Sequence, residues 1–491
     1  MKMNKIYKAI AALSILSALS ISCSDDFIDR SPAYSIDSEN YFNSKEDYDN
    51  ALIAAYDMLQ STYVNVMLGE IASDNTLTGS ESATDTPGFH QIDAMTHTPV
   101  NSNLKNIWDW MYAGVNRANY ILEFKDKTAF EGKEALLAQA YFLRAYYQFE
   151  LVKWFGAIPV NGDKRFKIGD ETVVPRTPAN EVYVLIESDL QYAIDHLSTG
   201  VQAKGRITVG AARALLGKVY LYDKKYAEAA TVLETVINSG TYSLVTDYST
   251  IFENNNENNS ESVFEVQYSD DEGAGFPCLQ CSEGNVAVGF NGPRNYTGPL
   301  FESGYSFNVP TAEAYNSYEI GDKRRDIAIL DIVAWAAQTG ATYGKGYEHT
   351  GYYNRKYIPR VGDQNLGDDK LTNPNNYRSI RYADVLLMAA EAFNRTGDDT
   401  KAQLYLNMVR RRAFGDNNHD KTSQGPALLE FILAERRAEL MGEGHRFFDL
   451  VRTGKAEGTI QGFTAGKNEV FPIPQEEIQF SNGNWQQNPG Y

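Results

Sequence analysis

The sequence predicts a mainly α protein: a tetratricopeptide-like stack of helix pairs (an α-α superhelix) with a loop-rich second part containing short β-strands. Three observations predict it. Apolar residues recur at helical spacing through much of the first 250 residues. Small residues sit at the packing positions of two helix pairs, at 210–238 and 383–412. Between those pairs the periodicity breaks into long stretches rich in Gly, Asn and aromatic residues. The expected division is a helical repeat region at 45–250 and a second region at 251–491.

In chain order, Tyr48, Ala51, Leu52, Ala55, Tyr56 and Leu59 form one apolar stripe, so a helix is expected there. Residues 73–102 are rich in Ser, Thr, Asp, Asn and Gly and read as a long surface loop. Helical patterns return at 104–124 and 131–154, the latter ended by Phe155-Gly156-Ala157-Ile158-Pro159. Another helix fits 178–197. In the 210–238 pair, Gly217 and Ala229 let two antiparallel helices approach while Leu216, Tyr220, Leu233 and Val236 fill around them. Ala390, Phe393, Ala402, Leu406 and Val409 repeat the scheme at 383–412, with Gly397-Asp398-Asp399 as the turn. One pair cannot bury its own face, so the pairs must stack. Val263 to Tyr268 alternates like a short strand.

Composition narrows the function. The chain has 491 residues, 45 Lys+Arg against 64 Asp+Glu, and a net charge of −19. An acidic surface repels phosphate backbones and makes nucleic acid an unsuitable partner. The start is a basic, then apolar, then small-residue leader over 1–22, a secretory signal too short to span a bilayer. Ser20-Ile21-Ser22 leads into Cys23, which resembles a bacterial lipobox with lipid attached to that thiol, although Leu19 lies one place early. A polar, turn-rich tether is expected at 23–44. Membrane contact would be through the lipid anchor alone.

No Walker loop, dinucleotide glycine fingerprint or Gly-x-Ser-x-Gly elbow is present, and the six histidines lack zinc spacing, so no cofactor, metal or catalytic residue is expected. Cys278 and Cys281 form a Cys-x-x-Cys that, in an oxidising compartment, reads as a loop disulfide ahead of a metal or redox site. The charge-dense run from Glu435 to Leu450 reads as a helix whose charges pair internally and fix the next helix, ahead of an acid/base site. Phe89, Tyr296, Tyr305, Tyr343, Tyr347, Tyr352 and Tyr353 lie among Gly, Asn, Asp and Thr. Flat rings cover the apolar faces of sugars while amides and carboxylates bond the hydroxyls.

Several segments in order resemble the SusD/RagB family of nutrient-uptake outer-membrane lipoproteins from Bacteroidetes. They are CSDDFID at 23–29, RAYYQFELVKWFGAIPV at 144–160, YRSIRYADVLLMAAEA at 377–392, ERRAELMGEGHRFFDLVR at 435–452 and FPIPQEEIQFSNGNWQQNPGY at 471–491. The resemblance implies helix pairs supporting ligand loops at 251–380, non-catalytic capture of an oligosaccharide at the cell exterior, and a SusC-like TonB-dependent transporter as partner. Peptide capture, as implied by RagB-type relatives, and a secreted glycoside hydrolase are the alternatives. No binding residue transfers by motif. Loop chemistry selects Asp74, Asn75, Phe89, Tyr296, Trp335, Tyr343 and Tyr347, although Trp335 in VAWAA also fits a buried helix.

Overall fold

A computed structural model describes residues 40–198, 203–271, 273, 275–363 and 370–491. The leader, Cys23 and all of the tether but 40–44 lie outside the described residues. At the tether's described end Phe42 is fully buried, its ring packed on Tyr48, Tyr120 and Phe124.

The helix pairs are α1 (Lys45–Asp57) with α2 (Ser102–Glu123), α3 (Lys133–Phe155) with α4 (Ala179–His196), α5 (Val209–Tyr222) with α6 (Tyr226–Asn238), and α7 (Tyr382–Arg395) with α8 (Asp399–Phe414). Helix α9 (Gly425–Leu440) closes the stack against α7 and α8. Caps set where they begin. Ser44 and Asp47 form a capping box on α1, and Asn101, Thr208 and Asp398 accept from first-turn amides of α2, α5 and α8. Gly217 keeps the role its spacing predicts: a Cβ there would lie 2.4 Å from Leu233 Cδ2, so α5 and α6 approach at that point only without a side chain.

The pairs follow one another in sequence until α6. The chain then leaves the stack for residues 239–381 and returns as α7, which packs directly on α6. The excursion carries most of the β-structure; among the described residues every named strand sits in a two-stranded antiparallel ladder, and two isolated bridges, Thr297–Thr342 and Phe301–Arg360, add to them. In chain order the strands are β1 (Thr76–Gly79), β2 (Ile158–Pro159), β3 (Arg176–Thr177), β4 (Ser262–Val266), β5 (Phe307–Pro310), β6 (Ile329–Asp331), β7 (Tyr352–Asn354) and β8 (Tyr377–Arg381). β4 pairs with β8, so the excursion is closed at its two ends. β1 pairs with β5, Thr76 opposite Pro310 and Gly79 opposite Phe307, which brings the N-terminal loop to the excursion. β6 pairs with β7, and β2 with β3.

Residues 73–102 are therefore not a plain surface loop. They hold β1 and a short helix, Pro87–Asp93, whose Phe89 is buried. One large hydrophobic core runs from Phe42 to Trp485 and takes residues from both sides of position 250. A separate small core (Tyr296, Phe301, Val309, Leu330, Ile332, Ala341, Tyr353 and Ile358) lies under the excursion loops.

Candidate functional site

The charge-dense segment at 435–450 is closed to ligands. Glu435, Glu439 and Glu443 are each 2% exposed or less. Their partners lie outside helix α9, which corrects the expectation of internal pairing, whereas the buried Arg436–Asp449 pair fixes the next helix (Arg446–Arg452) as expected. Glu439 accepts from Arg324 (2.8 Å), Arg381 (2.8 Å) and Arg412 (2.6 Å). Glu443 takes Arg381 and Lys356, and Glu435 takes Arg324 and Arg410. Arg436 bridges Asp384 of α7 and Asp449. The network locks α9 to α7, to β8 and to the 322–326 segment. Burial works against the Glu439 charge, but Arg412, Arg381 and Arg324 outweigh it and hold the carboxyl well below its ordinary range.

His445 sits in the same interior, 3.3 Å from Lys218 Nζ; burial first, then Lys218, pushes its imidazole down to about 3. Its unfolded value is near 6.5, so between those limits the unfolded chain binds a proton that the folded chain refuses. That contribution to stability is present above pH 6.5 and falls as the pH drops toward 3. Asp93, raised to about 6 chiefly by burial, acts in the opposite sense. Comparison with His445→Gln isolates the histidine. Urea unfolding from pH 7 to 4 should show the wild type losing stability relative to the variant by up to about 1.4 kcal/mol per pH unit. A difference that does not change with pH would refute this assignment.

The accessible loop surface lies elsewhere, over the small core. Of the residues selected by loop chemistry, Tyr296, Trp335 and Tyr343 come together there. Trp335, on the short helix Ile332–Thr339, donates Nε1–H to Tyr296 Oη at 2.8 Å and packs on Phe301. Tyr296 in turn donates to the Pro299 carbonyl and is only 6% exposed. Tyr343 packs half-buried against this core. The two loops are joined by reciprocal Thr297–Thr342 amide bonds at 2.9 Å and by Gly344 N–H to Arg294 O. Tyr347 is 39% exposed, its ring 5.5 Å from His90 and its amide on the Ser80 carbonyl. Gly346 makes that approach feasible, since a Cβ there would lie 2.5 Å from Ser80 O.

The other selected residues are structural. Asp74 is clamped by Arg446 (2.7 and 2.9 Å) and Arg437 (3.1 Å). Asn75 is 1% exposed, donating to Glu70 and accepting from Arg437. Phe89 is 3% exposed and packs on Phe290 and Phe307. None of these three offers a surface of the kind a sugar needs.

Sequence reasoning missed Arg294 and Phe276. Arg294 holds the rim together. Its guanidinium reaches the Tyr305 carbonyl (3.0 Å), Glu81 (3.4 Å) and Asp85 (3.8 Å). Phe276 is 55% exposed and stands 5.5 Å from the Tyr305 ring, on the loop whose Cys278 and Cys281 form a disulfide (S–S 2.00 Å). An exposed Phe between Gly and Pro was the signal available for it. The rim thus offers Tyr347, Tyr305 and Phe276 for ring contact, with a guanidinium, two carboxylates and the exposed Asn295 and Thr297 for hydroxyls. Among the described residues no cluster of His, Cys, Asp or Glu could hold a metal ion.

The sequence signature of the SusD family matches residues 330–491, and one described as starch-binding associating with outer membrane matches residues 26–221. A solved laminarin-binding SusD-like protein is 35% identical and superposes with a TM-score of 0.83, over 92% of this chain and all of that one. The chain belongs to the SusD/RagB family. Another solved member similar to it is surface glycan-binding protein A from Bacteroides thetaiotaomicron in complex with laminarihexaose, at 27% identity and a TM-score of 0.80, covering 90% of this chain and 99% of that one. The SusD-like protein P38 of Formosa agariphila is 28% identical, the match taking in 95% of each chain. The family carries an association with the outer membrane. Among the described residues no helix of this member is long and apolar enough to cross a membrane.

Proposed function

We propose that this SusD-family protein is a non-catalytic receptor that captures an oligosaccharide outside the cell and hands it to a SusC-like TonB-dependent barrel. Lipid on Cys23 would hold it to the outer membrane with its loops facing the exterior. The observation that carries this reading is the open rim of rings, guanidinium and carboxylates, on a chain whose overall fold resembles that of a laminarin-binding SusD-like protein. Glucose chains of the laminarin type are the first ligands to try. The rim's rings would stack on sugar faces, and its amides, guanidinium and carboxylates would bond hydroxyls. Affinity would be modest, because a sugar held on an open rim keeps much of its hydration.

The test is calorimetry of the mature protein with laminarihexaose, followed by chromatography of the ligand. Saturable heat with the hexaose recovered intact is expected. Flat titrations across laminarin, starch and plant oligosaccharides, or recovery of shortened sugars, would overturn the reading.

A further inference from the structure

A second recess lies on the helical scaffold and shares no residue with the loop rim. It has a volume of about 340 Å³, within the range of small-ligand sites. Its walls are Trp108 and Tyr112 of α2, Phe166 from the hairpin that follows β2, and Trp485 from the C-terminal segment. These rings brace one another: Trp108 lies 4.8 Å from Tyr112 and 6.1 Å from Trp485, and Tyr112 stands edge-on to Phe166 at 5.5 Å. The polar ends of two rings are engaged elsewhere, Tyr112 Oη–H on the Pro159 carbonyl and Trp485 Nε1–H on the Val174 carbonyl, both at 2.8 Å. Trp108 and Trp485 are only 3% and 5% exposed, so the ring surface open to the recess is that of the partly buried Tyr112 and Phe166.

The charge around the recess is one-sided. Asp109, Glu171 and Glu477 line it, and Glu476 stands beside them. The ammonium among them is Lys105, shared between Asp109 at 2.8 Å, Glu476 at 3.5 Å and Glu477 at 3.5 Å. Burial, aided by the charges of Asp109 and Glu476, raises Glu477 above its ordinary value against the pull of Lys105. The nearest guanidinium, Arg176, is committed to the carbonyls of Ala157 and Gln486 and to Asn488. A neutral sugar would leave this carboxylate repulsion in place, whereas a cation over the rings relieves it and gains from the ring quadrupoles. The segments that form the recess also carry Ile168, Val173 and Phe480, which are 105%, 72% and 59% exposed. Exposed apolar side chains on the same segments as a cation-attracting pocket fit a basic side chain carried on an apolar stretch of polypeptide.

We propose that this aromatic, carboxylate-lined recess is a docking site for an arginine or lysine side chain presented by an apolar-flanked peptide segment of a partner protein.

The probe is the tripeptide acetyl-Leu-Arg-Leu-amide. Its control carries citrulline, a neutral isostere of arginine. Calorimetry with the full mature chain at low salt should give binding of the arginine peptide at least about tenfold tighter than the citrulline peptide. Glu477→Gln and Asp109→Asn should weaken it. Lys105→Gln should tighten it, because the competing ammonium is gone; a purely structural role for these charges would not produce that opposite sign. All three variants should bind laminarihexaose as the parent protein does. Equal binding of the two peptides, absence of binding by either, or displacement of the arginine peptide by laminarihexaose would overturn the assignment.

Discussion

Replacing Glu439 by alanine destabilises the protein by about 3–5 kcal/mol, the largest single-residue effect expected. The carboxylate is fully buried and is shared by Arg324, Arg381 and Arg412, themselves 4% exposed or less by side chain. Removing it leaves three guanidiniums competing for Glu261, Glu435, Glu443 and Asp322, without solvent to take the excess charge. Glutamine does little better, since it keeps the shape and loses the charge. Urea unfolding followed by circular dichroism measures the loss. The exposed Lys455–Glu430 pair provides the contrast: Glu430→Gln should leave the midpoint almost unmoved, because water screens that pair already. If both substitutions cost the same, the buried network does not hold α9 to the fold in the way described.

Joint replacement of Arg294 and Tyr347 by alanine lowers glycan affinity about tenfold or more while the protein stays folded. Tyr347 contributes an exposed ring, and Arg294 fixes the Tyr305 backbone and holds Glu81 and Asp85 at the rim. A residue pair of this kind at the centre of a contact typically carries more than 1 kcal/mol. Neither residue belongs to the small core beneath, so the midpoint of unfolding should change little. Titration of the double variant with laminarihexaose, beside its melting curve, checks this. Undiminished affinity removes the rim as the binding surface.

Much of the scaffold could be read before any coordinates. Gly217, Ala229 and Leu233 lie at the spacings of a tight helix pair, and Gly397-Asp398-Asp399 marks a turn by its chemistry. The helices at 104–124, 131–154 and 178–197 fall within a few residues of α2, α3 and α4. The loop surface was legible only in part. Phe89 sits among Pro, Gly and His in the sequence, yet Phe290 and Phe307, some 200 positions away, bury it. Asp74 and Asn75 look like free polar loop residues until Arg437 of α9 and Arg446 from just beyond it arrive. Burial by distant partners leaves no local trace, which is why ring-rich loops mixed true surface with hidden packing. The same limit hid the pairing of Glu439: charge density along 435–450 suggested partners within the run, whereas they come from three other elements.

The closure of the 239–381 excursion by β4 against β8 has an evolutionary consequence. Both ends of that long segment are pinned to adjoining helices, so lengthening or shortening what lies between them alters the closure entropy only logarithmically, by about 0.6 kcal/mol for each doubling. Insertions and deletions there can redraw the chemistry presented to the outside while the register of the superhelix is untouched. A lineage facing a new food source could change its taste by editing one stretch of chain and inherit the rest unaltered.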